Sequence, residues 1–236
     1  MKSTFIGLHE LNKFGSVSNT IKVLKKYEFT TVYLSTSILS DAIFFKNAGF
    51  KVLVWLSFNK SIDELVSVLK KCFKTVNGAC FDYIRYDKTS VFNILFSLRI
   101  YYKLKTVIEK VNVSSNEYHC CLKCEDYRSV LSNEVQRLSY GQCIWLLKKC
   151  CKYCMLMCYH DAYGVPMSGV INLMDGLRKL HGSSVIPIFQ TYKDGSESVD
   201  GVTDYNKLWV SVMFWSKYFK DKSYFRLGCA SLDSFK

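Results

Sequence analysis

The sequence predicts an α/β protein built as one (β/α)8 TIM barrel, and two features carry that prediction. Eight short apolar runs alternate with longer amphipathic segments, the order expected of strands and helices that cover both faces of a parallel sheet. The tripeptide Leu-Lys-Lys also recurs at 24–26, 69–71 and 147–149, each time shortly before an apolar run, as expected for successive helix ends. The 236 residues come close to the length of about 250 that is typical of this fold.

A doubly wound open parallel sheet is the alternative architecture. That fold binds phosphates with a glycine-rich turn after its first strand. The first apolar run here is followed by Gly7-Leu-His-Glu10, which contains a single glycine. The chain has 2 Pro and 12 Gly and no Ser/Gly-rich or charge-block stretch, so it offers no linker at which to divide it. We therefore expect one barrel domain over residues 1–236.

The expected strands are short and rich in β-branched and aromatic residues. They are Phe5–Leu8, Thr31–Leu34, Val52–Phe58, Ala79–Ile84, Tyr118–Cys124, Met155–Tyr159, Val185–Phe189 and Tyr224–Gly228. The expected helices are Ser18–Tyr27, Ser40–Ala48, Ser61–Phe73, Val91–Val111, Ser139–Cys151, Ser168–His181 and Tyr205–Tyr218. Two helix ends carry their own signals, because Ser61 and Glu64 have the spacing of a capping box and Gly49 suits a left-handed C-cap.

The chain is basic, with 32 Lys and Arg against 20 Asp and Glu, which gives a formal net charge of +12. Such an excess favours a polyanionic partner, such as an acidic polysaccharide, an anionic membrane surface or nucleic acid. The recurring lysine pairs stand where helices are expected to end, which favours a solvated face over a binding patch. We therefore expect neither nucleic acid nor an anionic membrane surface as the partner. Hydrophobic residues at 49% and aromatic residues at 15% exclude a disordered chain.

Neither a secretion signal nor a membrane span is expected. The first ten residues, MKSTFIGLHE, reach a His and a Glu too early to form a signal-peptide core. No window approaches about 20 uninterrupted apolar residues. We expect a soluble protein that is cytoplasmic as synthesised, and its later release to act on a cell wall is a hypothesis. The sequence leaves the oligomeric state open.

Eleven cysteines, an odd number, suit reduced thiols that pack as small apolar side chains in a reducing compartment. Two segments, Cys121-Leu-Lys-Cys124 and Cys151-Lys-Tyr-Cys154, have the C-x-x-C spacing of zinc ribbons. If residues 118–124 form a strand, Cys121 and Cys124 point to opposite faces because their separation is odd. We therefore expect no metal site, and nothing in the sequence calls for a cofactor.

Polar side chains stand at the ends of the expected strands, where this fold has its active site. Asp82 lies near the end of the fourth strand and Glu125 follows the fifth. Neighbouring strands lie about 4.8 Å apart, so the two carboxylates are expected to face each other within the range of about 5–9.5 Å that glycosidases use. Arg85 would hold Asp82 ionised by lowering its pKa, and a drier Glu125 would suit the general acid, although the two roles stay unassigned.

Further side chains at the same rim suit a sugar ligand. They are the rings of Trp55, Tyr86, Tyr159 and Tyr192 and the polar groups of Arg85, Gln190 and Arg226. Each also has a structural interpretation: Asp82 and Arg85 as an ion pair, Glu125 as an acid near a helix start, and the tyrosines as packing. His160 and Asp161 are a weaker candidate for a base with its orienting acid, because adjacent loop residues rarely face each other.

Six short motifs resemble, in the same order, those of a family of TIM-barrel glycoside hydrolases. The family includes members in methanogenic archaea and their viruses that accompany pseudomurein cell walls. Phe81-Asp-Tyr-Ile-Arg-Tyr86 is similar to the LDYVRY motif of its fourth strand. The other matches are Lys123-Cys-Glu125 to Met-Pro-Glu, Tyr140-Gly-Gln142 to YGQD, Met157-Cys-Tyr159 to PMIY, Gln190-Thr-Tyr192 to LQTY and Phe225-Arg-Leu-Gly228 to LFRYG. The resemblance extends from Val52 to Gly228.

The resemblance implies a glycoside hydrolase that cleaves a cell-wall-type polysaccharide, such as pseudomurein glycan, through Asp82 and Glu125. Uronic acids in such glycans would match the basic charge of the chain. Cys143 replaces the Asp of YGQD, Leu156 the Pro of PMIY and Cys124 the Pro before the strand-five Glu. These departures leave a catalytically degenerate carbohydrate-binding barrel as the alternative. A nucleic-acid-binding protein, suggested by charge alone, is the second alternative.

Overall fold

A computed structural model shows a closed barrel of eight parallel strands in sequential order. It describes residues 1–85, 94–113, 115–160, 164–191 and 216–225. The strands are β1 (Lys2–Ile6), β2 (Thr31–Ser35), β3 (Lys51–Ser57), β4 (Gly78–Asp82), β5 (Glu117–Lys123), β6 (Tyr153–Cys158), β7 (Val185–Gln190) and β8 (Lys222–Phe225). β8 pairs in parallel with β1, so the sheet has no free edge. The predicted (β/α)8 barrel is confirmed, and closure rules out the open-sheet alternative.

Helices connect the strands on the outside of the barrel. Those within the described residues are α1 (Leu8–Phe14), α2 (Val17–Lys26), α3 (Ala42–Asn47), α4 (Ile62–Cys72), α5 (Ile94–Val111), α6 (Val130–Ser139), α7 (Ile144–Leu147) and α8 (Met167–His181), with a 3₁₀ helix at Thr36–Asp41. Both predicted helix ends are confirmed. The Glu64 N–H donates to Ser61 Oγ at 3.3 Å and the Ser61 N–H to Glu64 Oε2 at 2.8 Å, and Gly49 has a φ of +93°.

The helix predicted over 139–151 is only partly confirmed, because within this range α7 (Ile144–Leu147) is the helical part. Residues 130–139 form α6, and the chain then turns at Gly141, where φ is +74°. A Cβ at Gly141 would lie 3.0 Å from Ile100 Cδ1, so α5 packs closely on this turn and excludes a side chain there. Tertiary packing thus interrupts a periodic segment that reads as one helix. The helices α1 and α6 were not predicted, and residues 205–215 of the last predicted helix lie outside the described residues.

The core has two parts, one inside the barrel and one between the sheet and the helices. The interior cluster is made of Phe5, Tyr33, Leu53, Cys80, Cys121, Met155, Ile186 and Ile188. Cys120 and Cys124 belong to the outer cluster, so the expected opposite orientation of Cys121 and Cys124 is confirmed. Among the described residues, no group of three or more His, Cys, Asp and Glu side chains could hold a metal ion.

The amino-terminal end of the barrel is closed by a chain of polar contacts that leads from surface lysines to the buried His119 and Tyr33. Glu117 Oε1 lies 2.7 Å from both Lys51 Nζ and Lys152 Nζ, and Glu117 Oε2 lies 3.4 Å from His119 Nε2. On its other side His119 Nδ1 lies 2.9 Å from the Tyr33 hydroxyl. The His119 and lysine contacts lower the pKa of Glu117, whereas burial lowers the pKa of His119 and raises that of Tyr33.

No helix in the described part of the chain has the length and apolar character needed to cross a membrane.

Candidate active site

Asp82 is the last residue of β4 and lies at the carboxyl end of the barrel, where this fold carries its active sites. Cys80 belongs to the interior cluster, and Asp82 shares its face because side chains alternate along a strand. The Trp55 Nε1–H donates to Asp82 Oδ2 at 3.1 Å, and the Tyr83 backbone N–H donates to Oδ1 at 2.7 Å. The carboxylate is therefore fixed in place by two donors.

The backbone after Asp82 is strained. Tyr83 has a φ of +52°, in the left-handed region that side chains with a Cβ disfavour by about 1–2 kcal/mol. The Arg85 N–H donates to the Tyr83 carbonyl at 2.8 Å, and the Arg85 guanidinium lies 4.8 Å from the centre of the Tyr83 ring. Strained residues gather at functional sites, which marks this turn as a candidate.

Burial raises the pKa of Asp82 above its ordinary value. The hydrogen bonds from Tyr83 and Trp55 and the charge of Arg85 act in the opposite direction, in that order of size. The expectation that Arg85 would hold the pKa of Asp82 low is therefore wrong in its net direction. Desolvation by the surrounding barrel outweighs the guanidinium, which the sequence could not show because the burial comes from residues distant in the chain.

Aromatic side chains form a wall beside Asp82. Trp55 packs edge-on against Phe5 and Phe225, with ring centroids 5.2 and 5.8 Å apart. Tyr159 stacks on Phe225 at 6.0 Å with an interplanar angle of 15°. Phe5 and Phe225 thus bring the predicted Trp55 and Tyr159 to one place. We call these four side chains the aromatic wall. Phe5 was not predicted as a site residue.

Gln190 ends β7 and is fully buried. It pairs with Phe225 in the sheet, which places it next to the aromatic wall. Because Gln190 has no exposed surface, its side chain does not line the open mouth of the barrel. Three other predicted binding residues, Tyr86, Tyr192 and Arg226, lie outside the described residues, as does Asp161.

Glu125 follows β5 by two residues and is held by three side chains. Its Oε1 forms an ion pair with Lys123 Nζ, and its Oε2 accepts from the Tyr140 hydroxyl at 3.0 Å and from Gln136 Nε2 at 3.4 Å. The Lys123 ammonium also lies 4.4 Å from the centre of the Tyr140 ring. The carboxylate of Glu125 is therefore paired with a cation and fixed in place by two neutral donors.

A pocket of about 460 Å³ opens beside Glu125. It is lined by Glu125, Asp126, Tyr127, Arg128, Gln136 and Val165. Arg128 donates from Nε to Asp126 Oδ1 and from Nη2 to Oδ2, and this bidentate contact lowers the pKa of the carboxyl group to about 2. The pocket thus carries two carboxylates and one exposed guanidinium, a polar lining suited to a hydroxylated or charged ligand.

The strand register sets the relative height of the two candidate acids. Phe81 pairs with Cys120, so the residue beside Asp82 on β5 is Cys121. Glu125 lies four residues further on, or roughly 13 Å if the chain stayed extended. Glu125 therefore stands nearer the rim than Asp82, with Lys123 at an intermediate level.

Gln142 connects the segments that carry the two acids. Its Oε1 accepts from the Lys123 N–H at 2.9 Å and its Nε2 donates to the Ile84 carbonyl at 3.3 Å. The side chain is buried and bridges the ends of β4 and β5. Sequence reasoning did not assign a site role to Lys123, Gln136, Tyr140 or Gln142. The available signal was the Tyr140-Gly-Gln142 motif, which was interpreted as a helix start.

No family model matches the chain, and no curated protein matches it. Solved structures do. The PgaB (BpsB) glycoside hydrolase domain from Bordetella bronchiseptica is 12% identical with a TM-score of 0.69, and the match covers 97% of this chain and 94% of that one. A chitinase from Chromobacterium violaceum is 10% identical with a TM-score of 0.65, over 100% and 96%. The spore cortex-lytic enzyme SleL from Bacillus megaterium is 8% identical with a TM-score of 0.61, over 99% and 71%.

The likeness shows the fold. At such identities a barrel says little about chemistry, because this architecture hosts many unrelated reactions. The three similar structures share the barrel fold with this chain over almost the whole of its 236 residues.

Proposed function

We propose that this protein is a glycoside hydrolase that cleaves a cell-wall-type polysaccharide, with Asp82 as the general acid and Glu125 as the base or nucleophile. The observation that carries the proposal is the environment of Asp82. Its carboxyl group lies at the mouth of the barrel, beside the aromatic wall, in surroundings that raise its pKa. A carboxyl group that stays protonated to higher pH can give its proton to a glycosidic oxygen.

The two acids lie in different surroundings. Burial favours the protonated form of Asp82, whereas the carboxylate of Glu125 forms an ion pair with the Lys123 ammonium. In the proposed reaction Asp82 protonates the leaving oxygen as the bond to the anomeric carbon breaks. Glu125 either takes a proton from the attacking water or attacks the anomeric carbon itself. The sequence leaves these two roles unassigned, with the general acid suggested for Glu125 only if it were the drier group.

The proposed substrate follows from the lining of the mouth. The rings of Trp55 and Tyr159 would stack on sugar faces, and Arg85 would bind hydroxyl or carboxylate groups. From the sequence alone, Tyr86, Tyr192 and Arg226 are added to this set. A cell-wall polysaccharide, such as pseudomurein glycan, is supported by the motif resemblance and by the name of the similar cortex-lytic enzyme.

A carbohydrate-binding barrel without activity is the second candidate, and the strand register favours it. Because Cys121 stands beside Asp82, the second carboxylate is displaced toward the rim. If one sugar bond cannot reach both acids, the aromatic wall still binds sugars while no bond is cleaved. The two candidates share the site and differ in turnover.

The test is release of reducing ends from isolated archaeal and bacterial cell walls. We expect release by the wild type and loss of about 10²-fold or more in Asp82→Asn and Glu125→Gln, the scale of general acid–base catalysis. Asp175→Asn, a change at an exposed position of α8, is the matched control and should keep full activity. Wall binding without release by the wild type supports the binding barrel. Full activity in Asp82→Asn overturns the assignment.

A further inference from the structure

The lysines at the helix ends collect at one end of the molecule. Lys25 and Lys26 lie in the last turn of α2, and Lys70 and Lys71 in the last turn of α4. All four are exposed. In a barrel of alternating strands and helices each helix returns antiparallel to its strand, so helix C-termini surround the amino-terminal ends of the strands. These cations therefore stand opposite the candidate active site.

Other segments add cations to the same end. Lys149 and Lys152 lead from α7 into β6, Lys179 lies in the last turn of α8, and Lys217 and Lys220 precede β8. These five are also exposed. We call the end represented by Lys25, Lys26, Lys70, Lys71, Lys149 and Lys179 the basic face. Its charges surround the barrel axis and do not line one groove.

Few acids neutralise the basic face. Glu117 is already bound by Lys51 and Lys152, Asp221 by the N-terminal amino group and Glu109 by Lys105. The exposed Glu28, between α2 and β2, is a further acid at this end. Among the ion pairs of the described residues, none involves the six lysines that define the face. The excess positive charge of the chain is thus concentrated, in part, on one end of the barrel.

We propose that the basic face binds an anionic phospholipid surface and so holds the barrel with its mouth directed away from the membrane. A ring of charges around a barrel end matches a flat, extended counter-surface better than a thread-like polymer. The six defining charges are all lysines, which act as hydrated point charges, whereas nucleic-acid recognition favours the planar fork of Arg. Mobile lipid headgroups need no such fixed geometry. The membrane is contacted peripherally, by electrostatic attraction.

The attraction has a definite scale and range. Each lysine near an anionic membrane surface strengthens binding about fivefold, and the effect fades beyond the screening length of about 8 Å at physiological ionic strength. Several lysines of one face act together when the face lies flat on the membrane. Binding should therefore be strong at low salt, weak at high salt and sensitive to removal of any pair of these lysines.

The experiment is flotation of the full chain with vesicles. Vesicles of phosphatidylcholine with about 30 mol% phosphatidylglycerol, which mimic an anionic leaflet, are compared with pure phosphatidylcholine at several salt concentrations. We expect co-flotation with the anionic vesicles at low salt, release at high salt and no co-flotation with the neutral ones. Failure to float with anionic vesicles at low salt overturns the proposal, as does equal binding to both.

Charge-matched variants locate the surface. Lys70→Glu/Lys71→Glu should weaken partitioning at least about 30-fold, whereas Lys13→Glu/Lys60→Glu, the same charge change at the mouth end, should leave it within about twofold. Equal loss in both variants overturns the assignment to the basic face. Thermal unfolding checks that each variant folds, and Lys25→Glu/Lys179→Glu replaces the first pair if it does not.

Competitors test the identity of the partner. Duplex DNA and polygalacturonate are added at the same concentration of negative charge as the vesicles. The membrane assignment is supported when the protein stays on the vesicles. It is overturned when either polymer removes the protein from them, which would identify nucleic acid or acidic polysaccharide as the preferred partner.

Discussion

Trp55→Phe isolates the hydrogen bond between Trp55 and Asp82, because it removes a donor and keeps a ring. The indole N–H donates to Asp82 Oδ2 at 3.1 Å, while the ring packs against Phe5 and Phe225. Phe retains an aromatic ring for these contacts and has no N–H. The hydrogen bond from Trp55 lowers the pKa of Asp82, so its loss should raise that pKa further.

The size of the effect follows from the length of the bond. A hydrogen bond to a charged group contributes about 1.5–3 kcal/mol, and those with ideal geometry are about 2.7–2.9 Å long. At 3.1 Å the Trp55 bond belongs at the lower end of this range. Because about 1.4 kcal/mol changes an equilibrium constant tenfold, we expect Asp82 to become about a tenfold weaker acid.

Titration of the Asp82 carboxyl carbon by ¹³C NMR measures this change directly. If Asp82 is the general acid, the alkaline limb of the pH profile for reducing-sugar release should move to higher pH as well. Trp145→Phe, at an exposed position of α7, is the matched control and should leave both curves in place. An unchanged Asp82 titration in Trp55→Phe, or an equal change in Trp145→Phe, would refute the argument.

Asp82→Asn should raise the unfolding temperature at neutral pH. The pKa of Asp82 is raised in the folded protein, so ionisation of the buried carboxyl group destabilises the fold as pH rises through that value, and Asn does not ionise. A lower unfolding temperature of the variant at pH 7 contradicts this. Glu134→Gln leaves the fully buried Arg137 without its carboxylate, and urea unfolding should show a free energy of unfolding lower by about 3–5 kcal/mol. A decrease below about 1 kcal/mol would show that the ion pair is not needed for stability. Burial, with the charge of Arg137, lowers the pKa of His181 to about 4. The contribution of the neutral His181 to the free energy of unfolding should therefore be fully present above about pH 6.5 and be lost as pH falls toward about 4. In His181→Gln, the unfolding temperature should fall less steeply over this pH range. Ser61→Ala removes one half of the capping box and should cost about 1 kcal/mol, with no cost for Ser67→Ala, a change within the same helix.

The amino-acid order alone determined the eight strands and most of the helices. Continuous apolar runs become strands buried on both faces, and Ser61 and Gly49 mark helix ends through local hydrogen bonding and backbone conformation. The position of Asp82 at a strand end was local information too. So was the opposite orientation of Cys121 and Cys124, which follows from the alternation of side chains along one strand.

What depended on residues distant in the chain was decided by the tertiary structure. The net pKa shift of Asp82 results from burial by other strands, and the contacts of Glu125 with Tyr140 and of Gln142 with Ile84 join segments 15 and 58 residues apart. The repeated Leu-Lys-Lys segments were visible in the sequence as helix ends. Only closure of the barrel brings these helix ends to one face, because each helix then returns to the amino-terminal ends of the strands around a single axis.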